Sequence, residues 1–392
     1  MYPTTQHNFE VVNNQAISQP LSQSEVNELF NNVPQIQPNS TASFAPPTTV
    51  PYETTPNVQI YEPLVTNRIS GFNVTQTMPT DDHQVQVKQI AMHLSQGDRD
   101  HQEDRYSYSS KNGVTYFGVY DGHGGEQISE HARTHLHERI FSSDGFGCGD
   151  YSRAIREGLY AEDADTFEEF VERQHRLRGG STAVSALLVN GKLHVGNVGD
   201  SRCILAVRTE SYGTGDGCNW YRAERLTRDF KPTDLDEHQR ITQNGGVVSK
   251  GRIIHDKEGI NMSRALGDHK FKQPLNHARG DYISVEPNIR QVQIDTRVHD
   301  FMILESDGLW GVLKDEVAIN VVGKLWRRGL PVQEICRNLV EEVASTPRSD
   351  NVSCMLVFFN DLQQAQQPGP AIPQPVDSNV VNAVVSKVLT HQ

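Results

Sequence analysis

Two Asn-Gly pairs, Asn112-Gly113 and Asn190-Gly191, constrain this chain more than any other feature, because each sits between runs of strand-forming residues. Asn and Gly tolerate the positive φ that a two-residue type I′ turn requires, so each pair predicts a β-hairpin. The first joins 105–110 to 114–120, and the second joins "TAVSALLV" to "KLHVGNV". "FMILES" (301–306) and "VSCMLVFF" (352–359) read as two further strands. Residues 126–141 carry Ile128, Ala132, Leu136 and Ile140 at helical spacing. A second helix opens at Pro331 with Val332, Ile335, Leu339 and Val343 on its inner face. Hairpins followed by helices predict an α+β layering of antiparallel sheets covered by helices, not a doubly wound parallel sheet.

Composition divides the chain into three parts. Residues 1–85 are rich in Gln, Asn, Pro, Thr and Ser and carry no basic residue before Arg68. Such a stretch cannot bury enough apolar surface to offset its ordering entropy, and a disordered tail is expected. Residues 86–360 carry the periodic strands and helices. Residues 361–392 begin Pro- and Gln-rich and end in a stripe, Val376, Val380, Val384 and Val388, that predicts an amphipathic helix. The formal net charge of -13 argues against a nucleic-acid partner, which would need a basic face. No run is long and apolar enough for a membrane span, and the first residues show no signal-peptide pattern. Five scattered cysteines without a CxxC pair fit a reduced compartment, cytoplasmic or nuclear, better than a disulfide framework.

The chemistry is announced by "VYDGHGG" (119–125), an apolar strand that stops on an aspartate and then nearly gives up side chains. A two-residue turn at 112–113 sets Asp104 opposite Asp121, with Glu103 one residue beyond. "FMILESDG" repeats the pattern with Asp307-Gly308, and "RSDNVSCMLVFF" begins on Asp350. In an antiparallel sheet the ends of some strands and the starts of their neighbours share one edge. Glu103, Asp121, Asp307 and Asp350 can therefore meet at one rim, where they repel unless a cation lies between them. These candidate ligands are all oxygen, and no Cys or His was found at ligand spacing beside them. That donor set suits Mg²⁺ or Mn²⁺ rather than Zn²⁺. Two such ions about 4 Å apart can activate a water for in-line attack on phosphorus.

"VYDGHGG", "GGSTAVSALLV", "LHVGNVGDSRCIL", "LTRDFKPTD", "MSRALGD", "FMILESDGLW" and "SDNVSCMLVFF" occur in an order and spacing that resembles the metal-dependent serine/threonine protein phosphatases of the PPM (type 2C) class. The resemblance implies a four-layer α/β/β/α sandwich with two metal ions at one end, acting on phosphoprotein substrates. It implies Glu103, Asp121, the Gly122 carbonyl, Asp307 and Asp350 as metal ligands. Arg99 is then the phosphate-binding arginine, His123 the proposed general acid, and Asp104 an orienting acid. "VGDSR" supplies Asp200, one ligand of the family's weaker third ion; its partner position reads Gly311, which puts that third site in question. The stretches "SKGRIIHDKEGI" and "HKFKQPLNHARGDY" are expected to influence substrate choice. A monomer is expected, with the tails as segments that meet partners. The competing reading is a catalytically dead phosphatase fold that acts as a scaffold through those tails, and such a chain should have lost metal carboxylates.

Overall fold

The structure, a computed structural model, describes residues 59–61 (backbone alone), 85–175, 178–209 and 220–362. The turns form where the sequence placed them: Asn112 and Gly113 have φ of 52° and 76°, and Asn190 and Gly191 have φ of 49° and 70°. Their hairpins, Arg105–Lys111 with Val114–Tyr120 and Ala183–Val189 with Lys192–Val198, pair with each other through Val119 and Val184. With Asn288–Gln293 they make a five-stranded antiparallel sheet. A second sheet runs in the order Gln59–Tyr61, Gln89–Ser95, Val352–Phe358, His299–Glu305, Arg202–Arg208 and Tyr221–Arg225. Every pair in it is antiparallel except the first, where three residues from the expected tail lie parallel to Gln89–Ala91. The rest of residues 1–84, and 363–392 with the valine stripe, lie outside the described residues.

The two-residue period of the strands sorts their side chains into layers. Phe117 and Val119 of one sheet meet Met302, Leu304 and Met355 of the other in the space between the sheets. Tyr116 and Tyr120 point outward, against Leu136, Ile140 and Leu159 of the helices Gln127–Ser142 and Tyr151–Thr166. On the opposite face, Phe301, Ile303 and Phe358 pack under the helices Asp315–Arg327 and Val332–Ala344. The result is helix, sheet, sheet, helix. Both sheet faces are covered, which is why the central strands are buried along their whole length.

One part was not legible beforehand. Helix Leu235–Gln243 and the strands Val247–Ser249, Arg252–His255 and Glu258–Ile260 form a small unit around Ile241, Ile253, Met262, Phe271 and Tyr282. Its strands are three or four residues long, too short to show a period. It holds both stretches expected to influence substrate choice. Among the described residues no helix is long and apolar enough to cross a membrane.

Trp326 is 1% exposed and its ring lies 4.8 Å from that of Phe358, under the helical layer. Trp326→Ala should cost about 3–5 kcal/mol, read as a lower denaturant midpoint with unchanged strand content by circular dichroism.

Candidate metal and phosphate site

The first hairpin delivers its acids as its register requires. Arg105 pairs with Tyr120, so Asp104 and Asp121 leave the open end side by side. Asp121 is clamped by its backbone: its N–H donates to Thr182 Oγ1 at 3.0 Å, and its carbonyl accepts from Thr182 N at 2.9 Å. Gly122 must be glycine, since a Cβ there would stand 2.4 Å from the Glu103 carbonyl oxygen and 2.6 Å from Ser129 Oγ. That close approach seats Glu103 beside Gly122. Asn351 seats it further, its Oδ1 accepting from Glu103 N at 2.7 Å while its Nδ2 donates to the Gln96 and His101 carbonyls.

The other acids arrive from the second sheet. Asp307 opens a short helix at the end of His299–Glu305, Asp350 precedes Val352–Phe358, and Asp200 lies in the turn before Arg202–Arg208. Electrostatics show that they share one place. Burial first, then Asp104, Asp307, Asp200 and Asp350, push the Asp121 carboxyl well above the usual range. Burial lifts Asp104 to about 7 against the pull of the Ser306 and Ser353 hydroxyls, with Asp307 and Asp350 adding to the rise. Asp307 is raised to about 6 by burial, Asp200 and Asp350, in spite of an Asp121 hydrogen bond and Lys231. The Ser306 and Ser353 hydroxyls lie close to Asp104 but outside hydrogen-bond geometry, and both Asp104 oxygens and Oδ1 of Asp200 are buried without a hydrogen-bond partner.

Two cations answer part of this charge. Arg99 is ion-paired to Asp350, not to its chain neighbours Asp98 or Asp100, and its guanidinium is more than half exposed at the rim. Lys231 pairs with Asp200, whose carbonyl also accepts from Trp310 Nε1 at 2.9 Å. The place where a second acid would face Asp200 is Gly311, and a Cβ there would come within 2.6 Å of the Asp307 carbonyl oxygen. The geometry thus offers Asp200 a lysine partner and no acid from residue 311. Among the described residues no three acidic, His or Cys side chains stand in a closed ligating set.

His123 lies on a two-residue strand that pairs with Gly180–Ser181, and these pair in turn with Leu266–Gly267. This small sheet brings in Asp268, which sequence reasoning quoted within "MSRALGD" and assigned no role. His123 Nε2 is 2.7 Å from Asp268 Oδ2, and His123 Nδ1 is buried with no partner. Burial pulls the His123 pKa down, but the Asp268 charge and hydrogen bond outweigh it, with Asp200 and Glu103 adding, and the net shift is upward. Asp268 has the same signature as Asp121, an acid at a strand end next to Gly. Asn351 and Lys231 lie within the quoted stretches "SDNVSCMLVFF" and "LTRDFKPTD", and neither had been given a role.

The family model described as protein phosphatase 2C matches residues 81–352. This chain belongs to the protein phosphatase 2C family. It is 31% identical over 279 residues to "Probable protein phosphatase 2C 71" of Arabidopsis thaliana, covering 71% of this chain and 56% of that one. It is 33% identical over 246 residues to "Probable protein phosphatase 2C 45" of Oryza sativa, covering 63% and 77%. The chain thus spans little more than half the length of the Arabidopsis relative. In fold it is similar to the crystal structure of a serine-threonine phosphatase 2C from Toxoplasma gondii, with a TM-score of 0.59 at 24% identity over 69% of this chain and 94% of that one. A sex-determining protein of C. elegans superposes with a TM-score of 0.57 at 23% identity, over 75% and 67%. The four-layer arrangement expected from the resemblance is therefore the fold of the family.

The raised carboxylates make a signed prediction. A carboxyl whose folded pKa exceeds its unfolded value stabilises the fold below the unfolded value, and that contribution is lost as pH rises through the folded value. For Asp307 the window runs from 3.8 to about 6. In chelator at neutral pH, Asp307→Asn should therefore melt at a higher temperature than wild type. The difference should shrink as the pH falls toward the lower limit of that window, which a series of thermal melts across it checks.

Proposed function

We propose that this protein hydrolyses phosphoserine and phosphothreonine esters of proteins, with Mg²⁺ or Mn²⁺ as cofactor. The observation that carries the reading is the convergence of acids at one end of the sandwich, where the charges of Asp307 and Asp350 help raise Asp104, and those of Asp104, Asp307 and Asp350 help raise Asp121, in a domain of this family. The donors fit a hard cation: the set is all oxygen, and orphaned buried carboxylate oxygens lie within it. Glu103, Asp121, the Gly122 carbonyl, Asp307 and Asp350 would hold two ions. When bound, such ions supply Lewis-acid polarisation of the phosphoryl group and lower the pKa of water.

The remaining work falls to the chain. The exposed Arg99 fork can take two phosphate oxygens and stays charged at any working pH. Its pairing with Asp350 keeps it at the rim, so phosphate is bound and oriented beside the acids. Asp268 occupies Nε2 of His123, which leaves Nδ1 as the nitrogen free to carry a proton toward the departing serine or threonine oxygen. Phosphorylated segments of other proteins are the expected partners, approached across the small unit at 235–283. The scaffold reading needs missing carboxylates, and Glu103, Asp121, Asp307 and Asp350 are all present.

The test is release of phosphate from a phosphothreonine peptide with Mn²⁺, alongside single-stranded nucleic acid as a control substrate. Asp121→Asn should lower turnover by about 100-fold or more, beyond the 10- to 100-fold typical of losing an outer-shell partner. An active wild type and a near-active Asp121→Asn would refute the site. No phosphate release at all would favour the scaffold. Removing residues 1–84 takes away one three-residue edge strand among the described residues. Hydrolysis of p-nitrophenyl phosphate by the shortened chain should stay within about 2-fold of wild type, since those residues carry no group the chemistry needs.

A further inference from the structure

Away from the acids, the helix Gln127–Ser142 carries "HARTH" at 131–135, two histidines four residues apart. We propose that His131 and His135 form a separate metal site, selective for a nitrogen-seeking cation of the Zn²⁺ or Ni²⁺ type rather than for Mg²⁺. Residues four apart lie on one face of a helix, and here the two ring centroids are 4.2 Å apart with planes inclined by 31°. What distinguishes the pair is how each ring is held. His131 Nδ1 lies 2.6 Å from Glu162 Oε1. His135 Nδ1 lies 2.7 Å from Thr134 Oγ1 and 3.0 Å from the His131 carbonyl oxygen. An acceptor on Nδ1 places the ring proton there and leaves the Nε2 lone pair as the ligand. Metal-binding histidines are held in this way by carboxylates and carbonyls.

Two further observations concern the surroundings of the pair. Glu162 is fully buried, and its second oxygen Oε2 has no partner, so a carboxylate is retained in the interior with the His131 ring as its hydrogen-bonded neighbour. Both imidazoles also line a shallow, open depression on the surface, together with Gln127 and Thr134. Phe170 forms another part of its wall, edge-on to His131 with centroids 5.8 Å apart. It is carried there by a π-helical turn, Phe167–Arg173, an uncommon conformation that is frequent at functional sites. Glu126 and Glu130 at the same depression are committed to Arg105 and Arg133, so they lend negative potential and not ligands. No third His, Cys, Asp or Glu among the described residues closes the set, which leaves the other positions to water, as in an open site. Imidazole ligands favour Ni²⁺ and Zn²⁺ over Mg²⁺, so the pair discriminates against the ion that suits the all-oxygen cluster.

The full chain, held in a large excess of Mg²⁺ to fill the carboxylate cluster, would be titrated with Ni²⁺ by calorimetry. One equivalent should bind. His135→Ala should abolish that binding, and Glu162→Gln should weaken it by about 10- to 100-fold. Hydrolysis of p-nitrophenyl phosphate without Ni²⁺ should be the same in His135→Ala as in wild type. Absence of Ni²⁺ binding in wild type, or binding unchanged in His135→Ala, would overturn the site. Binding lost in Asp121→Asn instead would place the Ni²⁺ among the carboxylates, and that result too would overturn it.

Discussion

Crowding of carboxylates at one end of a β-sandwich is the constraint on which the rest of this structure depends. Removing charged acids from water costs several kcal/mol each before any mutual repulsion is counted. The fold nonetheless brings Asp104, Asp121, Asp200, Asp307 and Asp350 within electrostatic reach of one another. Arg99 and Lys231 offset two of the five. The remainder must be balanced by proton uptake or by cations from solution.

Holding that arrangement needs a rigid frame. Two sheets buried on both faces supply it, with apolar layers above, between and below them. At the acidic end the strands are pressed together until no side chain fits between them: a Cβ on Gly308 would lie 2.0 Å from the Asn351 carbonyl oxygen. Asn351 then works as a spacer, tying the Asp350 strand to the Glu103 segment with three hydrogen bonds. Strand ends fixed in this way lose little freedom when a cation or a phosphate binds, which is the benefit of placing a site on rigid elements.

Much of this was legible beforehand, for a local reason. The Asn-Gly turns set hairpin register within a few residues, and register placed Asp104 beside Asp121. Apolar spacing set the helix faces, so Ile128, Ala132, Leu136 and Ile140 are all buried. The small unit at 235–283 escaped because its strands are too short for a period to show. The pairing of Arg99 escaped because its partner lies 251 positions away.

The sequence by itself thus determined the order of turns and strands and the presence of an acid at each of several strand ends, because turn chemistry and side-chain alternation act over a few residues. Only the tertiary structure decided what those acids and their neighbours meet. Asp268 reaches His123 across 145 positions and occupies one of its two nitrogens, and Lys231 answers Asp200 where residue 311 offers no side chain. Glu162 holds the ring of His131 on another helix, its Oε1 2.6 Å from Nδ1. Such contacts join segments whose distance along the chain carries no record of their distance in space. They exist only once the packed layers bring the loops together.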